Sequence, residues 1–162
     1  MVTSDKIWSL LADVNDPEVP VLSVVDLGII RDVLVTGEGI EIVLTPTYSG
    51  CPAMDLIRMN IRMTLLEHGF SDIKLTTVLS PAWTTDWMSE RGKEKLKAYG
   101  IAPPLPSQQV CRPALFQREE AIECPHCHSY HTIRISEFGS TACKALYRCK
   151  DCGEPFDYFK CH

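Results

Sequence analysis

The stretch that decides the fold of the first hundred residues is IIRDVLVTGEGIEIVLTPTYSGCPAMDLIRMNIRMTLLEHG, residues 29–69. Its first half alternates apolar and polar residues on either side of a glycine-rich turn at residues 37–39, which predicts two strands. Its second half has apolar residues at helical spacing, with Pro52 suited to the helix start and Gly69 to its exit. The sequence therefore predicts a strand–turn–strand–loop–helix unit with Cys51 in the loop.

Helical and strand patterns flank this unit on both sides. Residues 4–14 have apolar side chains at helical spacing, with Ser4 as a candidate N-terminal cap. DIKLTTVLS, residues 72–80, alternates as a third strand, and SERGKEKLKAYG, residues 89–100, predicts a short helix with a charged, solvated face. The order α, β, β, α, β, α predicts an α+β domain in which helices pack on one side of a small sheet.

Cysteine distribution indicates a second domain. Seven of the eight cysteines lie at or beyond position 111, after a proline-rich stretch. Prolines fix φ and lack an amide donor, so we interpret residues 103–120 as an extended linker. We expect residues 1–102 to form the α+β domain and residues 121–162 a second domain, with strands at YHTIRIS and PFDYFK and a loop at SEFGSTACKALY. A segment this small favours a structural metal.

Two cysteine pairs in the second segment have metal-ligand spacing. CPHC occupies residues 124–127 and CKDC residues 149–152. Two thiolates two residues apart can bind one ion while the amides of their turn face the sulfurs, and two such knuckles complete a tetrahedral site. The predicted ligands are Cys124, Cys127, Cys149 and Cys152. Zinc is the expected metal of such a zinc ribbon, but iron uses the same four sulfurs, so both stay open.

Three cysteines lie outside this set: Cys111, Cys143 and Cys161. Histidines 126, 128, 131 and 162 lie near them in sequence and could replace a knuckle cysteine. A four-cysteine set needs no further ligand, so we interpret the three thiols as buried or inert. Gly153 follows the second pair, where a knuckle turn often needs a positive φ.

Cys51 has a different setting. It precedes the predicted helix, where unpaired amides and the positive end of the helix dipole favour a thiolate. From position alone, a metal or cluster ligand and a buried residue at the helix start are both open interpretations. A cysteine hydrolase needs a nearby histidine base. His68 is the only histidine of the first segment, and it lies at the far end of the same helix, about 25 Å away by the helical rise.

Acidic residues occur in an apolar setting in DPEVPVLSVVDLG, residues 16–28. One interpretation is turn chemistry, with Asp16 capping a turn and Asp26 accepting amides of the Gly28 turn. The other places the carboxylates of Glu18 and Asp26 beside the Cys51 loop. The tryptophans at positions 83 and 87 are interpreted as core or interface anchors.

Charge and hydropathy exclude several classes. The formal net charge is -5, with 14 acidic against 9 basic residues among the first 102. This acidic balance does not suit nucleic acid or an anionic membrane surface. The N-terminal residues lack the basic leader and apolar core of a secretion signal, and no run approaches the ~20 apolar residues of a membrane span. We therefore expect a cytoplasmic protein in a reducing environment, where cysteines serve metal or redox chemistry.

DPEVP…SVVDLGII followed by TPTYSGCP resembles the small α+β domain of SufT-like and cytosolic iron–sulfur assembly proteins. The motif residues of that family correspond to Asp16, Pro17, Glu18, Asp26, Gly28, Thr47 and Cys51. The resemblance implies that Cys51 is the reactive cysteine and that the domain helps to insert or transfer iron–sulfur clusters. Tyr48 and Ser49 depart from the Thr-Pro or Ser-Pro that many members carry before GCP, which alters the rigidity expected of the loop.

A narrower resemblance covers essentially the whole chain. PAWTTDWMSERGKEKLKAYGIAPP and CPHC…FGSTACKALYRCKDCGEPFDYFKCH are similar to the D subunits of the phenylacetyl-CoA epoxidase system, also called J subunits of phenylacetate-CoA oxygenase. The resemblance implies aerobic phenylacetate breakdown in bacteria, with the oxygenase and reductase components of the epoxidase as partners. The chain has neither the Glu-x-x-His pairs of a di-iron bundle nor a dinucleotide glycine fingerprint. The resemblance, together with these two missing motifs, implies an accessory subunit rather than a catalytic one.

Three functional hypotheses follow. In the first, a non-catalytic maturation factor holds a transient iron–sulfur cluster or iron at Cys51, alone or with Cys51 of a second copy in a homodimer. Asp26, Glu18 and Thr47 would then shape the loop, and the ribbon would dock the client. In the second, the chain is a structural subunit or assembly adaptor of the oxygenase without metal transfer. The third, thiol chemistry on a CoA thioester at Cys51, is least favoured because a base is missing.

Overall fold

The computed structural model describes residues 2–48, 50–105 and 121–159. The chain forms two compact units, residues 1–83 with 87–92 and residues 84–86 with 93–162. The division falls inside helix α3 (Glu90–Tyr99), nearer the N-terminus than the predicted boundary at residue 102. Ser49, the larger part of the predicted linker with Cys111, and the C-terminal Cys161 and His162 lie outside the described residues.

A three-stranded sheet, in the order β1-β2-β3, forms the centre of the first unit. Strands β1 (Ile30–Val35) and β2 (Ile40–Leu44) are antiparallel, and β3 (Ile73–Thr77) runs parallel to β2. The amide of Thr36 donates to the carbonyl of Gly39 at 2.9 Å and closes the hairpin. The three strands predicted for this segment are therefore confirmed.

Two helices pack against this sheet and each other. Helix α1 (Ser4–Leu11) buries Ile7 and Leu11, and its N-terminal cap position is Thr3 rather than the predicted Ser4. Ser4 is itself the first residue of the helix, so the cap position falls one residue earlier. Helix α2 (Ala53–Glu67) follows the predicted Pro52, and Gly69 takes a φ of 89° just beyond its end. The α+β fold with helices on a small sheet is confirmed.

Arginines of α2 cover the outer edge of β3. The guanidinium of Arg58 donates to Thr77 Oγ1 at 2.6 Å and to the carbonyl of Leu75 at 3.4 Å, and Arg62 donates to the carbonyl of Ile73 at 3.1 Å. An edge strand presents unpaired backbone groups that can pair with another chain. These donors occupy carbonyls on that edge and fix α2 along it.

Residues 83 and 87–92 pack on the turn before β1. Buried Trp83 donates its indole N–H to the carbonyl of Leu27 at 2.8 Å. The guanidinium of Arg31 lies 3.7 Å from the ring centroid of Trp87, a cation–π contact. Gly28 has a φ of 72°, and a Cβ there would lie 2.3 Å from the carbonyl oxygen of Trp87. The interpretation of both tryptophans as packing anchors agrees with these contacts.

The second unit contains a four-stranded sheet in the order β4-β7-β6-β5. Its strands are β4 (Ile101–Ala102), β5 (Thr132–Ser136), β6 (Lys144–Cys149) and β7 (Pro155–Phe159). Strand β4 is parallel to β7, and β6 is antiparallel to both β5 and β7. The two strands predicted here are confirmed, whereas the prediction of a loop over SEFGSTACKALY is wrong because part of it forms the central strand β6.

The second unit has a small core that includes two of the four paired cysteines. Its buried members are Ala102, Ile122, Cys124, Ala145, Cys149, Phe156 and Tyr158. Tyr147 packs against this core and contacts the rings of Phe156 and Tyr158. Among the described helices, none combines the length and the apolar character needed to cross a bilayer.

Candidate functional site: a four-cysteine centre and the Cys51 loop

The structure brings the four predicted cysteine ligands together. The Sγ atoms of Cys124, Cys127, Cys149 and Cys152 all lie within 4.8 Å of one another. The sulfurs of Cys124 and Cys152 are 3.8 Å apart, and those of Cys127 and Cys149 are 3.5 Å apart. Sulfurs bound to one zinc ion at ~2.3 Å lie at separations of this order. The first cysteine of each pair is buried and the second is exposed.

The two knuckles share one backbone pattern. The amides of Cys124 and Cys149 donate to the carbonyls five residues later, at 2.8 and 3.0 Å. The amides four residues after each of these cysteines, in His128 and Gly153, donate back at 2.9 and 3.0 Å. His128 has a φ of 63° and Gly153 a φ of 78°. The positive φ predicted for Gly153 is confirmed, and His128 adopts the same conformation with a side chain.

Backbone amides point at the knuckle sulfurs. The Cys152 amide, with that of Asp151, donates to the sulfur of Cys149 and lowers the pKa of that thiol to about 7. The Ser129 amide acts in the same direction on Cys127, but partial desolvation of its sulfur and the neighbouring cysteine thiols raise the pKa of Cys127 to about 12. A divalent cation bound between the four sulfurs would allow all of them to be thiolates.

Side chains tie the two knuckles to each other. The carboxylate of Asp151, between the cysteines of the second pair, accepts a hydrogen bond from the hydroxyl of Ser129 and interacts with His131 Nδ1 at 3.1 Å. Glu123, beside the first pair, interacts with His128 Nδ1 at 2.8 Å and Lys97 Nζ at 3.1 Å. Both histidines therefore engage carboxylates. The role of Asp151 was missed, although its position inside a knuckle is visible in the sequence.

The donor set fits a closed four-coordinate metal site. Four thiolates fill a tetrahedral ion and leave no position for a substrate, so the ion would cross-link two loops of a small domain. Cys143 is buried outside this set, with its sulfur 2.9 Å from Thr141 Oγ1. This position agrees with the expectation of an inert thiol.

Cys51 lies on a loop that leads into α2. Its side chain is half-buried, its amide donates to the carbonyl of Tyr48 at 3.3 Å, and its carbonyl accepts the amide of Met54 at 3.2 Å. Gly50 has a φ of 78°, and a Cβ built there would meet nothing within 4 Å. The backbone beside the thiol is thus held in a turn while the space next to Gly50 is open.

Threonines precede Cys51 on the same loop. Thr47 is half-buried, and Thr45 is 1% exposed at the end of β2. The Thr45 hydroxyl has no hydrogen-bond partner among the described atoms, and a buried hydroxyl usually has one. Thr47 was selected from the sequence as a candidate site residue, and Thr45 was not considered.

Asp16 and Glu18 lie on the loop between α1 and β1. Buried Asp16 accepts the amides of Glu18 at 2.6 Å and Val19 at 3.0 Å through Oδ1, which closes a turn around Pro17. This geometry matches the predicted capping role of Asp16. Glu18 is half-buried, and its amide belongs to the same turn.

Asp26 lies on the same loop but makes a longer-range connection. It is 6% exposed; its Oδ2 accepts the amide of Ser23 at 3.3 Å, and its Oδ1 accepts the hydroxyl of Ser89 at 3.1 Å. The Gly28 amide donates to the carbonyl of Val25, and Asp26 accepts the Ser23 amide from the same loop. The four ribbon cysteines are one cluster, Thr47 and Cys51 share a loop, and the three acids occupy another loop of the first unit.

Comparison with known proteins assigns both parts of the chain. Residues 4–68 match the family model of the iron–sulfur cluster assembly protein, and residues 108–160 match the PaaD zinc beta ribbon domain. A domain of unknown function, DUF59, from Bacillus anthracis has a solved structure similar to this chain. It superposes with a TM-score of 0.54 at 28% identity, over 57% of this chain and 89% of that one.

Two relatives extend these matches. A Porphyromonas gingivalis protein named Fe-S protein maturation auxiliary factor is 36% identical over 58% of this chain and 90% of its own length. A protein of Escherichia coli K12, provisionally named as the D subunit of 1,2-phenylacetyl-CoA epoxidase, is 51% identical over 96% of this chain and 92% of its own length. The chain therefore belongs to the family of phenylacetyl-CoA epoxidase D subunits.

Proposed function

We propose that this protein is a non-catalytic maturation factor that delivers iron or an iron–sulfur cluster to a component of phenylacetyl-CoA epoxidase. Cys51 is the ligand that carries the cargo. Membership of the epoxidase D-subunit family supports an accessory role in phenylacetate degradation. The domain shared with iron–sulfur assembly proteins supports the handling of iron or an iron–sulfur cluster. In a cytoplasmic, reducing location the thiol stays available for this exchange.

The observation that carries this proposal is the half-buried Cys51 thiol at the entrance to α2. Cys51 belongs to the first unit, whereas the four-cysteine centre belongs to the second. That centre has a full set of ligands without Cys51. A thiol that is partly accessible and close to open space can exchange a metal ligand, whereas a fully buried one cannot.

The exchange needs no redox partner. Cys51 loses its proton to solvent when its sulfur bonds to iron, and a client thiolate later replaces it on that iron. The bond to Cys51 breaks as the bond to the client forms, and the oxidation states of iron and sulfur stay the same. One sulfur per chain leaves the remaining cargo ligands to a second copy in a homodimer, to the client, or to small thiols.

The neighbouring residues have supporting roles in this proposal. Thr47 lies on the same loop as Cys51, and Glu18 and Asp26 shape the loop between α1 and β1. Zinc in the four-cysteine centre would hold the ribbon together, and the ribbon would contact the oxygenase or the reductase. The ribbon metal is thus a structural ion and not the cargo.

The test is to load iron and sulfide anaerobically onto the wild type, Cys51→Ala and Cys143→Ala, and then add each apo epoxidase component. Cys143→Ala removes a different, buried thiol and is the matched control. We expect the wild type and this control to show cluster absorbance and to activate a client. Cys51→Ala should do neither while it keeps its ribbon metal. Equal activation by all three proteins would overturn the role of Cys51.

A second candidate function is an assembly adaptor of the oxygenase without metal transfer. The observation that favours it is a group of exposed apolar side chains on and beside β5 of the ribbon: Tyr130, Ile133, Ile135 and Phe138. Exposed apolar groups of this kind mark contact surfaces. Purification of the oxygenase with this chain at a fixed ratio, together with full oxygenase activity in the presence of Cys51→Ala, would support the adaptor over the maturation factor.

A further inference from the structure

Helix α2 carries apolar side chains on two opposite faces. One face is buried in the first unit and consists of Ala53, Met54, Ile57, Ile61 and Leu65. On the other side, Leu56, Met59, Met63 and Leu66 are 40%, 52%, 51% and 47% exposed. We call these four residues the α2 stripe.

The spacing of the α2 stripe makes it one continuous surface. Its members follow one another at intervals of three, four and three residues. At about 100° per residue they fall within an arc of about 80° on the helix. The outer side of a surface helix is normally polar, and single exposed apolar residues are ordinary, but four in line indicate a binding surface. The two methionines are flexible and adapt to a partner.

An acidic cleft borders the α2 stripe on one side. Its volume is about 270 Å³, and Met63 of the stripe forms part of its wall. The lining includes the carboxylates of Asp13 and Glu67 and no lysine or arginine. Neither carboxylate forms a salt bridge with another described residue. An apolar stripe with an acidic border is complementary to an apolar surface with a basic border.

We propose that the α2 stripe is the docking surface for an amphipathic helix of a client, with a lysine or arginine of that helix in the acidic cleft. This inference rests on the proposed maturation function. A second copy of this chain fits less well, because a two-fold interface brings the same patch against itself. In an antiparallel pair of α2 stripes, the two acidic borders would lie on the same side of the interface, where like charges repel.

The position of the α2 stripe relates docking to the cargo. Leu56 is the fourth residue of α2, and Cys51 lies two residues before the helix begins. A client helix lying along the α2 stripe would therefore contact the helix whose start Cys51 precedes. The helix is itself fixed to β3 by Arg58 and Arg62, so it offers a rigid surface to the client.

The experiment measures binding of purified oxygenase and reductase components to the full-length protein by fluorescence titration at low and high salt. The stripe variant is Met59→Ser with Met63→Ser, and the cleft variant is Asp13→Asn with Glu67→Gln. Leu79→Ser is the matched control, because Leu79 is 63% exposed but lies outside α2. We expect the stripe variant to weaken binding of one component at least about 10-fold. The cleft variant should bind less tightly at low salt and lose most of the salt dependence.

Three results would overturn the docking surface. One is equal affinity of the stripe variant and the Leu79→Ser control. Another is a wild-type protein that binds neither component. The third is a wild-type dimer, seen by sedimentation equilibrium, that the stripe variant converts to a monomer while client binding is unchanged; the occupant would then be a second copy. Circular dichroism of each variant shows whether it is folded.

Failure of docking and failure of maturation give different results. Cys51→Ala should bind the client like the wild type but not activate it. If the stripe variant binds normally while Cys51→Ala fails to activate, the docking surface is wrong and the maturation role stands. If Cys51→Ala activates fully while the stripe variant binds weakly, the maturation role of Cys51 is wrong and the docking surface stands.

Discussion

The hydroxyl of Ser89 donates to Asp26 Oδ1 at 3.1 Å and accepts the amide of Gly92 at 2.9 Å. The Ser89 amide also donates to the carbonyl of Asp26 at 2.9 Å. Ser89 therefore acts as the N-terminal cap of α3, because it satisfies an amide of the first helical turn. Asp26 fixes the cap in turn, so a motif residue of the iron–sulfur assembly family here connects the loop before β1 to the start of a helix.

Replacement of Asp26 by alanine should lower the free energy of unfolding by about 1–3 kcal/mol, because the Ser23 amide and the Ser89 hydroxyl lose a buried acceptor. Urea unfolding of the full-length, metal-loaded protein measures this loss. Glu38→Gln, at an exposed turn position, is the control and should change stability little.

A double-mutant cycle with Ser89→Ala separates the hydrogen bond from other effects of the substitution. We expect a coupling energy above about 0.5 kcal/mol between the two positions. Strictly additive effects would contradict the proposed link between Asp26 and the cap.

Gly28 and Gly50 form a natural pair for a second prediction. Both have positive φ, but a Cβ at Gly28 would lie 2.3 Å from the Trp87 carbonyl oxygen, whereas a Cβ at Gly50 would meet nothing within 4 Å. Gly50→Ala should therefore lower the free energy of unfolding only by the energy of placing alanine in the left-handed conformation, about 1–2 kcal/mol. Gly28→Ala should cost more, because the Trp87 segment must also move. Thermal unfolding under identical conditions compares them, and an equal loss would show that the Trp87 contact is unimportant.

The first unit could be predicted because its signals are local. Helix α2 has a regular apolar period between Pro52 and Gly69, and the hairpin has its turn residues at 37–39. Strand β6 was missed because it begins with a lysine. Lys144 is nevertheless 5% exposed, with its ammonium donating to Ser140 Oγ at 3.2 Å.

The candidate site likewise has one part that local sequence predicts and another that only the folded chain brings together. Cysteine spacing predicted the four-cysteine centre because both pairs are local turns of one kind. The partner of Asp26 could not be predicted, since Ser89 lies 63 residues away and only the folded chain brings the two together. The exposure of the α2 stripe was also hidden, because methionine and leucine at helical spacing usually indicate a buried face.

The pKa of Glu41 in β2 provides a prediction about pH. The Thr76 hydroxyl, at 2.6 Å, and the Lys74 ammonium, at 3.0 Å, hold this pKa below its ordinary value of 4.5. Because the pKa of Glu41 is lower in the folded protein, its contacts with Thr76 and Lys74 stabilise the fold above the unfolded pKa of Glu41. This stabilisation is lost as pH falls through the folded pKa. Thr76→Val should raise the Glu41 pKa in an NMR titration of the carboxyl carbon. An unchanged pKa would mean that Lys74 alone sets it.

Removal of the ribbon metal should unfold the second unit and spare the first. The core of the second unit is small and includes Cys124 and Cys149, so the free energy of metal binding is a large part of its folding free energy. We expect the wild type to hold one equivalent of ribbon metal and Cys149→Ser to hold far less. Backbone NMR signals of β5–β7 should collapse in that variant while those of β1–β3 persist. Metal loss should also increase as pH falls, because protons compete with the metal for thiolates.

Cys51→Ala is the matched control for this last prediction, since it removes a thiol of the first unit and leaves all four ribbon ligands in place. It should keep one equivalent of ribbon metal and the signals of both sheets. If Cys51→Ala lowered the resident metal content as Cys149→Ser does, Cys51 would be a ligand of the same ion. The separation of a structural ribbon metal from a transferable cargo at Cys51 would then be wrong. If Cys149→Ser kept a folded ribbon without metal, the core alone would be sufficient for folding.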